Sequence, residues 1–283
     1  MRRILLTGAA GRIATAVRPV LRELAADVVL TDRDEPAGVE SGERFVRADL
    51  ADPAPWEGLA AGCDAIVHLG AVPDEAAFDV LAGPNLAGAF HVLDAARRGG
   101  VRRVVLASSG RATGFARVGE RLDGDSTPRP DGLYGATKAF AEALGRMYAA
   151  RFGLEVVALR IGTFEERPAT TRDLSTWLSH ADARRLVRAA LLGPVDGYVG
   201  VYGVSANTRG WWDLPPSLGY APQDDAEAFA ADVAPDDGIP FQGGPNTARD
   251  YGGWTGNAGP GGRVPSRVFA QGAKPAAEEG PTR

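Results

Sequence analysis

Cysteine, lysine and long apolar runs are all scarce in this sequence of 283 residues. The single cysteine, Cys63, excludes an internal disulfide framework and is compatible with a reducing cytoplasm, where we expect the protein to reside. The apolar runs are shorter than the roughly 20 residues that a transmembrane helix needs, and no signal-peptide pattern precedes the first predicted strand. The short apolar runs argue against a membrane as a partner, and the net charge of −5 argues against a nucleic acid.

The scarcity of lysine is informative about function. The 31 basic residues include only two lysines, Lys138 and Lys274, and all the others are arginines. High-GC codon usage would explain the arginines, and a surviving lysine could then be accidental. A compact ammonium, however, fits small pockets that the planar arginine fork does not. Lys138 follows Tyr134 by four residues, a spacing that places both side chains on one face of a helix. We therefore expect both to point into the same cleft.

Strand-type and helix-type segments alternate along the first part of the chain. The predicted strands span residues 2–8, 27–32, 43–50, 63–71, 102–109 and 154–162, and the predicted helices span residues 12–26, 53–61, 75–98 and 134–152. This alternation implies parallel βαβ units, and nearly continuous apolar strands indicate helices on both faces of the sheet. The expected fold class is α/β, a Rossmann-type doubly wound parallel sheet with a small C-terminal substrate lobe.

The remainder of the chain is less regular. It carries a predicted helix at 174–191 and a strand-type run at 197–204. We interpret residues 1–163 as the core, which holds the dinucleotide and the Tyr/Lys helix, and residues 164–243 as a small substrate-binding lobe. Residues 244–283 are rich in Gly and Pro without periodicity, which predicts a flexible tail or, alternatively, an arm that contacts another subunit.

The string TGAAGRIA (7–14) predicts a dinucleotide-binding turn between the first strand and the first helix. Gly8 permits a tight bend, and Gly11 lets the backbone approach a pyrophosphate at the helix N-terminus, where Arg12 and Ile13 follow. Ala14 takes the third glycine position of such motifs. A glycine triplet alone is a weak signal, but here the strand, turn and helix occur in the required order.

Asp32 ends the second predicted strand, about 20 residues beyond the glycines. A carboxylate at this position accepts hydrogen bonds from the adenosine ribose and repels a 2′-phosphate, so we expect NAD rather than NADP. Arg33 is the counter-indication, because an arginine there could hold a 2′-phosphate. The remaining candidate cofactor contacts are Asp49, Leu50, Leu69, Gly70, Ala71, Asn85, Tyr134, Lys138 and Ile161. Cys63 and His68 lack companions at metal-ligand spacing, so we interpret both as structural and expect no metal.

TGAAGRIA, Asp32, DAIVHLGA, LASS, YGATK and RIG together resemble the extended short-chain dehydrogenase/reductase superfamily, to which the NAD-dependent epimerases and dehydratases belong. The resemblance covers roughly residues 1–243. Within it, TRDLSTWLSH, SANTRGWWD and LGYAPQDDAEAF are similar to strings of the NAD-dependent uronate dehydrogenase family.

The resemblance implies a chemistry for three residues. Tyr134 is the general base, Ser109 holds the substrate oxygen beside it, and Lys138 binds the nicotinamide ribose and lowers the pKa of the tyrosine. A free tyrosine titrates near 10, so a neighbouring positive charge is needed to make it a base at neutral pH. The implied reaction transfers hydride from the anomeric carbon of an acidic sugar to NAD and yields a lactone.

The resemblance also implies substrate contacts, and here the sequence departs from the family pattern. Arg172 corresponds to the arginine that meets the sugar carboxylate, and Thr163 takes the place of a serine. Gly110 and Arg111 stand where the family has Asn-His directly after Ser109, and Pro73 replaces a contacting serine. Arg111 would add a second cation, which suggests a more anionic or differently placed acid. The alternative is drift in a pocket that still accepts a uronate.

Two other functions remain open at this point. A nucleotide-sugar epimerase or dehydratase of the same fold would need a larger C-terminal domain. A non-catalytic NAD-binding regulator would be expected to lack Tyr134 or Lys138. By resemblance we also expect a homodimer or a higher homo-oligomer.

Overall fold

A seven-stranded parallel sheet forms the centre of the computed structural model, which describes residues 1–235, 238–248 and 251. The strands are β1 (Arg3–Thr7), β2 (Asp27–Asp32), β3 (Glu43–Arg47), β4 (Ala65–His68), β5 (Arg103–Ser109), β6 (Glu155–Ile161), β7 (Thr163–Phe164), β8 (Trp177–Leu178) and β9 (Tyr198–Gly203). The order in the main sheet is β3-β2-β1-β4-β5-β6-β9, and every neighbouring pair is parallel. The doubly wound sheet predicted from the sequence is confirmed, and β7 and β8 pair separately.

Helices cover both faces of this sheet. They are α1 (Arg12–Leu24), α2 (Trp56–Ala60), α3 (Phe78–Leu81), α4 (Gly88–Arg98), α5 (Leu133–Phe152), α6 (Asp173–Thr176) and α7 (His180–Leu192). Successive strand residues point to opposite faces: Leu6 packs in the cluster with α1 and α7, whereas Leu5 packs with α2, α4 and α5. Both faces are therefore apolar, which explains the continuous apolar strands of the sequence.

The predicted helix over 75–98 is interrupted in the structure. Residues Ala82–Ala87 form a π-helical turn between α3 and α4. Pro84 lies in this turn and has no N–H for a helical hydrogen bond, so a wider turn is the physical consequence. Among the described residues, no helix is both long and apolar enough to span a bilayer.

Residues that follow the predicted boundary at residue 163 also contribute to the main sheet and to its helical cover. Strand β9 pairs with β6 in the main sheet, and α7 packs against α1. The predicted helix at 174–191 is two helices, because the chain extends through β8 and Ser179 then caps α7 by accepting the N–H of Asp182 at 2.9 Å. Sequence periodicity alone did not reveal this break.

Residues that follow β9 pack beside the carboxyl ends of the strands. Trp212 stacks on Tyr202 with ring centroids 4.3 Å apart, in a cluster with Leu122 and Val204. Of the predicted tail, Gly244–Thr247 form one 3₁₀ turn and Gly244 is buried. The rest of the predicted tail, apart from residues 248 and 251, lies outside the described residues.

Candidate active site

The glycine-rich turn after β1 packs backbone against backbone with the chain after β4. Gly8 has a φ of 69°, and a Cβ there would lie 2.6 Å from the Cα of Gly70. Both the left-handed conformation and the lack of space therefore require glycine. The N–H of Gly11 donates to the carbonyl of Gly8 at 3.0 Å, and α1 begins at the next residue, Arg12. This places the unpaired N–H groups of the first turn of α1 at the carboxyl edge of the sheet.

Asp32 lies at the end of β2, beside this turn. One carboxylate oxygen accepts the N–H of Ala10 at 3.0 Å, and the other accepts the N–H of Arg33 at 2.7 Å. The carboxylate is thereby oriented next to the helix N-terminus, where the sequence predicts the adenosine ribose. Arg33 contributes its backbone to this arrangement.

Other predicted cofactor contacts lie around the glycine-rich turn. Leu50 packs on Gly70 and Gly88, where added Cβ atoms would lie 2.9 and 2.8 Å from its side chain. Leu69 and Ala71 are half-buried beside it, Asp49 accepts the N–H of Ala51 at 2.9 Å, and Ile161 is buried at the end of β6.

In two of the predicted cofactor residues, the polar side-chain atoms bind other groups of the protein. Asn85 exchanges hydrogen bonds with the backbone of Val72 and donates to the hydroxyl of Thr137 at 3.1 Å. Arg12 forms an ion pair with Glu165 at 2.5 Å. Asn85 therefore fixes the loop after β4 against α5, a structural task that the sequence did not indicate.

His68 is part of the framework, as the sequence interpretation has it. Its ring Nδ1 lies 2.7 Å from the hydroxyl of Thr7, and complete burial lowers the pKa of the imidazole to about 3. The ring is therefore neutral at physiological pH.

Ser109, Tyr134 and Lys138 come together where β5 ends and α5 begins. All three are buried, with 9%, 8% and 7% of their surfaces exposed. The ammonium of Lys138 lies 5.5 Å from the centre of the Tyr134 ring and donates to the carbonyl of Ala107 at 2.9 Å. The pair thus shares one face of α5, as the four-residue spacing predicts.

Burial sets the protonation of this group. It raises the pKa of Tyr134 to about 12, although the charge of Arg111 and a hydrogen-bonding contact with Ser109 act to lower it. Burial also lowers the pKa of Lys138 to about 8. The tyrosine is a phenol in the unliganded protein, and an additional positive charge nearby is needed to make it a base.

A buried network of hydrogen bonds and an ion pair, which the sequence analysis did not identify, lies next to this site. Ser108 donates to Glu142, whose carboxylate forms an ion pair with Arg160 at 2.8 Å. Arg160 is 1% exposed and also donates to the carbonyls of Asp123 and Ser126. In the sequence, the arginine inside the otherwise apolar strand β6 could have indicated this network. The network turns Ser108 away from Tyr134 and leaves Ser109 to face it.

Arg111, a predicted substrate contact, forms ion pairs within the protein. Its guanidinium lies within 2.9 Å of carboxylate oxygens of Asp74, Glu75 and Asp131. The sequence shows the arginine, but its three partners lie 20 to 37 residues away along the chain.

Two expected substrate contacts, Thr163 and the carboxylate-binding Arg172, lie on β7 and at the start of α6. Thr163 shares hydrogen bonds with Asp173 at 3.0 Å and Thr176 at 2.9 Å. The guanidinium of Arg172 donates from Nε to the carbonyl of Gln242 at 2.7 Å. Burial raises the pKa of Asp131 to about 6, and the nearby charges of Arg111 and Arg172 oppose this shift. Arg172 therefore belongs to the same region as Tyr134 and Arg111.

Gly110 and Pro73 leave apolar surface where the sequence pattern suggests polar contacts. A Cβ on Gly110 would lie 2.9 Å from the indole of Trp212, and this indole is held by its N–H donating to Gln242 at 2.7 Å. An asparagine at 110 therefore requires Trp212 to move. Pro73 is exposed at the edge of the loop after β4.

Comparisons with known proteins agree with this geometry. Residues 4–196 match the NAD dependent epimerase/dehydratase family. The chain is 41% identical to uronate dehydrogenase of Pseudomonas putida over 86% of this chain and 94% of that protein, and 41% identical to uronate dehydrogenase of Agrobacterium fabrum over 86% and 96%. A crystal structure of a uronate dehydrogenase mutant from Agrobacterium tumefaciens complexed with NAD has a TM-score of 0.83 at 40% identity, covering 87% of this chain and 97% of that one. The chain therefore belongs to the NAD dependent epimerase/dehydratase family.

Proposed function

We propose that the protein is an NAD-dependent dehydrogenase that oxidises the anomeric hydroxyl of a uronic acid to a lactone. The observation that carries the proposal is the buried group of Ser109, Tyr134 and Lys138 beside the glycine-rich turn. Similarity to uronate dehydrogenases over most of the chain supports the substrate class.

The residues around the turn fit a dinucleotide. Gly8 and Gly11 let a pyrophosphate approach the backbone, α1 presents its unpaired N–H groups, and the Asp32 carboxylate is fixed beside them. A 2′-phosphate would lie against this carboxylate, so NAD is preferred over NADP. When bound, NAD supplies the hydride acceptor and a positively charged ring.

The protein side of the reaction is proton removal and orientation. Ser109 positions the anomeric hydroxyl, and the oxygen of Tyr134 takes its proton. Lys138 stabilises the phenolate and orients the nicotinamide ribose. The C–H electron pair leaves the anomeric carbon with the hydride, and the ring carbon becomes the carbonyl carbon of the lactone.

Arg172 is the proposed partner of the sugar carboxylate. It lies at the start of α6, beside Thr163 and close to the region of Tyr134, and its side chain is 21% exposed. A charge-assisted arginine–carboxylate contact in such a partly buried position gives orientation as well as affinity. Thr163 is a proposed hydroxyl contact on the same side, and Ser109, Gly110 and Pro73 line the other side of the proposed pocket.

A substrate panel tests the proposal. Galacturonate, glucuronate, the matching neutral sugars and glucose 6-phosphate are each supplied with NAD or NADP, and NADH or NADPH absorbance is followed. We expect turnover of at least one uronate with NAD, and kcat/KM at least about tenfold lower for the neutral sugars, because the carboxylate contact is lost. Arg172→Ala should raise KM for the uronate and leave NAD affinity unchanged. Equal kcat/KM for neutral and acidic sugars would contradict the substrate assignment.

We also propose that two copies associate through α4 and α5, and that the enzyme acts in the cytoplasm. Phe90 on α4 and Phe140 and Met147 on α5 are 46%, 42% and 40% exposed, although all three are apolar. Light scattering should give at least a dimer, and Phe140→Asp combined with Met147→Asp should give a monomer. Leu192→Asp, on an exposed position of α7, is the control that should leave assembly unchanged.

A further inference from the structure

The side chain of Arg111 is the centre of an ionic cluster, formed with Asp74, Glu75 and Asp131 and named here the Arg111 cluster. Its Nη1 lies 2.9 Å from Asp74, its Nη2 lies 2.8 Å from Glu75, and its Nε lies 2.9 Å from Asp131. The side chains of Glu75 and Asp131 are 4% and 0% exposed. Each edge of the guanidinium therefore faces a carboxylate.

Glu75 links this cluster to the helix of the proposed base. The same carboxylate that binds Arg111 accepts the N–H of Leu133 at 2.7 Å and the N–H of Tyr134 at 3.2 Å. The residue before the helix, Gly132, has no side chain that could cap it. Glu75 therefore caps α5 from 58 residues away in the chain.

The backbone of Arg111 forms hydrogen bonds on the Ser109 side of the site. Its N–H donates to the hydroxyl of Ser109 at 3.2 Å, and its carbonyl accepts the N–H of Asp131 at 3.3 Å. The guanidinium carbon lies 5.1 Å from the centre of the Tyr134 ring. One residue thus contacts the hydroxyl and the phenol that the proposed reaction requires to face each other.

We infer that Arg111 is a positioning residue that fixes the first turn of α5 against Ser109, and that it does not bind the substrate carboxylate. The inference rests on the proposed function for its kinetic part. Three carboxylates surround one guanidinium, so a further carboxylate at this place would meet an excess of negative charge. Arg172, whose Nε and Nη2 donate to the carbonyl of Gln242, is the proposed partner of the acid.

Two replacements at position 111 test the inference. Arg111→Lys keeps the charge but cannot face three carboxylates with a planar fork, and Arg111→Met removes the charge. We expect both to lower kcat with the uronate by about tenfold or more, because misplaced reacting groups are slow, while KM for the uronate changes by less than about threefold. If Arg111→Met does not fold, Arg111→Lys decides.

The pH profile gives a second readout. Tyr134 is faced by Arg111 and Lys138 as cations and by Asp74 and Asp131 as anions. Loss of the Arg111 charge raises the pKa of Tyr134, so the rise of kcat with pH should move to higher pH in Arg111→Met and much less in Arg111→Lys.

Hydrogen exchange of the unliganded protein gives a readout that does not depend on activity. The amides of residues 133 and 134 should exchange about tenfold faster in both variants, because their cap is loosened. Arg18→Lys is the matched control: Arg18 is also a buried arginine, bound to the Glu43 carboxylate and to the carbonyl of Ala37, but it lies between α1 and β3.

The outcomes are distinguishable. A tenfold rise in KM for the uronate with unchanged kcat and unchanged amide exchange would make Arg111 a substrate ligand and overturn the inference. A wild-type protein that oxidises no uronate would overturn the proposed function instead, and the amide exchange of residues 133 and 134 would still decide the role of Arg111.

Discussion

Replacement of Lys138 by methionine should make the protein more stable and nearly inactive. Burial lowers the pKa of this lysine from 10.5 to about 8. At about 1.4 kcal/mol for each pH unit, the protonated side chain destabilises the folded state by about 3 kcal/mol at pH 7. Methionine has a similar length and no charge, but it loses the hydrogen bond to the carbonyl of Ala107, which offsets about 1 kcal/mol. The expected net stabilisation is about 2 kcal/mol.

The sign of the pH dependence follows from the same values. Between pH 8 and 10.5 the unfolded chain holds a proton on Lys138 that the folded protein has released. The stability of the wild type therefore rises through this window relative to the methionine variant. The advantage of Lys138→Met should be full below pH 8, shrink as the pH rises, and vanish by about pH 10.

Urea unfolding of both proteins at pH 7, 8.5 and 10, without NAD, measures this difference. The groups closest to the Lys138 charge, His68 and Tyr134, titrate in the folded protein at about 3 and about 12, outside this pH range, so the other groups contribute nearly equally to both proteins. A variant that is less stable than the wild type at pH 7, or a stability difference that stays constant up to pH 10, would refute the reasoning.

Three further outcomes are expected. Tyr134→Phe should bind NAD normally in a fluorescence titration and lose turnover by about 10²-fold or more, and a smaller loss would exclude it as the base. Asp32→Ser should lower kcat/KM with NAD and raise the ratio of NADP to NAD use, whereas an unchanged ratio would assign cofactor choice to another residue. Gly8→Ala should lower the free energy of unfolding by more than about 2 kcal/mol, since it adds a contact with Gly70 to the left-handed strain. Gly153 has a φ of 70° and nothing within 4 Å of an added Cβ, so Gly153→Ala should lower the free energy of unfolding by the left-handed strain alone.

Local sequence patterns predicted most of the fold and part of the candidate active site. The alternation of strands and helices predicted the parallel sheet, since each βαβ unit is a short-range pattern. Gly8 and Asp32 were detectable because a tight turn and a ribose partner occur at fixed distances from the first strand. The spacing of Tyr134 and Lys138 placed them on one helical face, and the structure has them there.

Features that depend on distant residues were not predictable. The sequence alone indicates an unpaired cation at Arg111, because its partners Asp74 and Glu75 lie on another loop more than 30 residues away along the chain. The position of β9 depends on how α7 packs against α1, and no local pattern reports that contact. The same holds for Trp212, whose indole lies against Gly110 from a different part of the chain.

The late arrival of β9 in the chain has a consequence for synthesis on the ribosome. Until residue 203 has emerged, the edge of β6 is unpaired, and the apolar face that α7 covers stays open to water. At about 5–20 residues per second, translation of the roughly 40 residues after position 163 leaves this surface exposed for about 2–8 seconds. Unpaired parallel edges are prone to association with other nascent chains. The yield of native protein should therefore respond to translation speed and to the supply of chaperones over this stretch of the message.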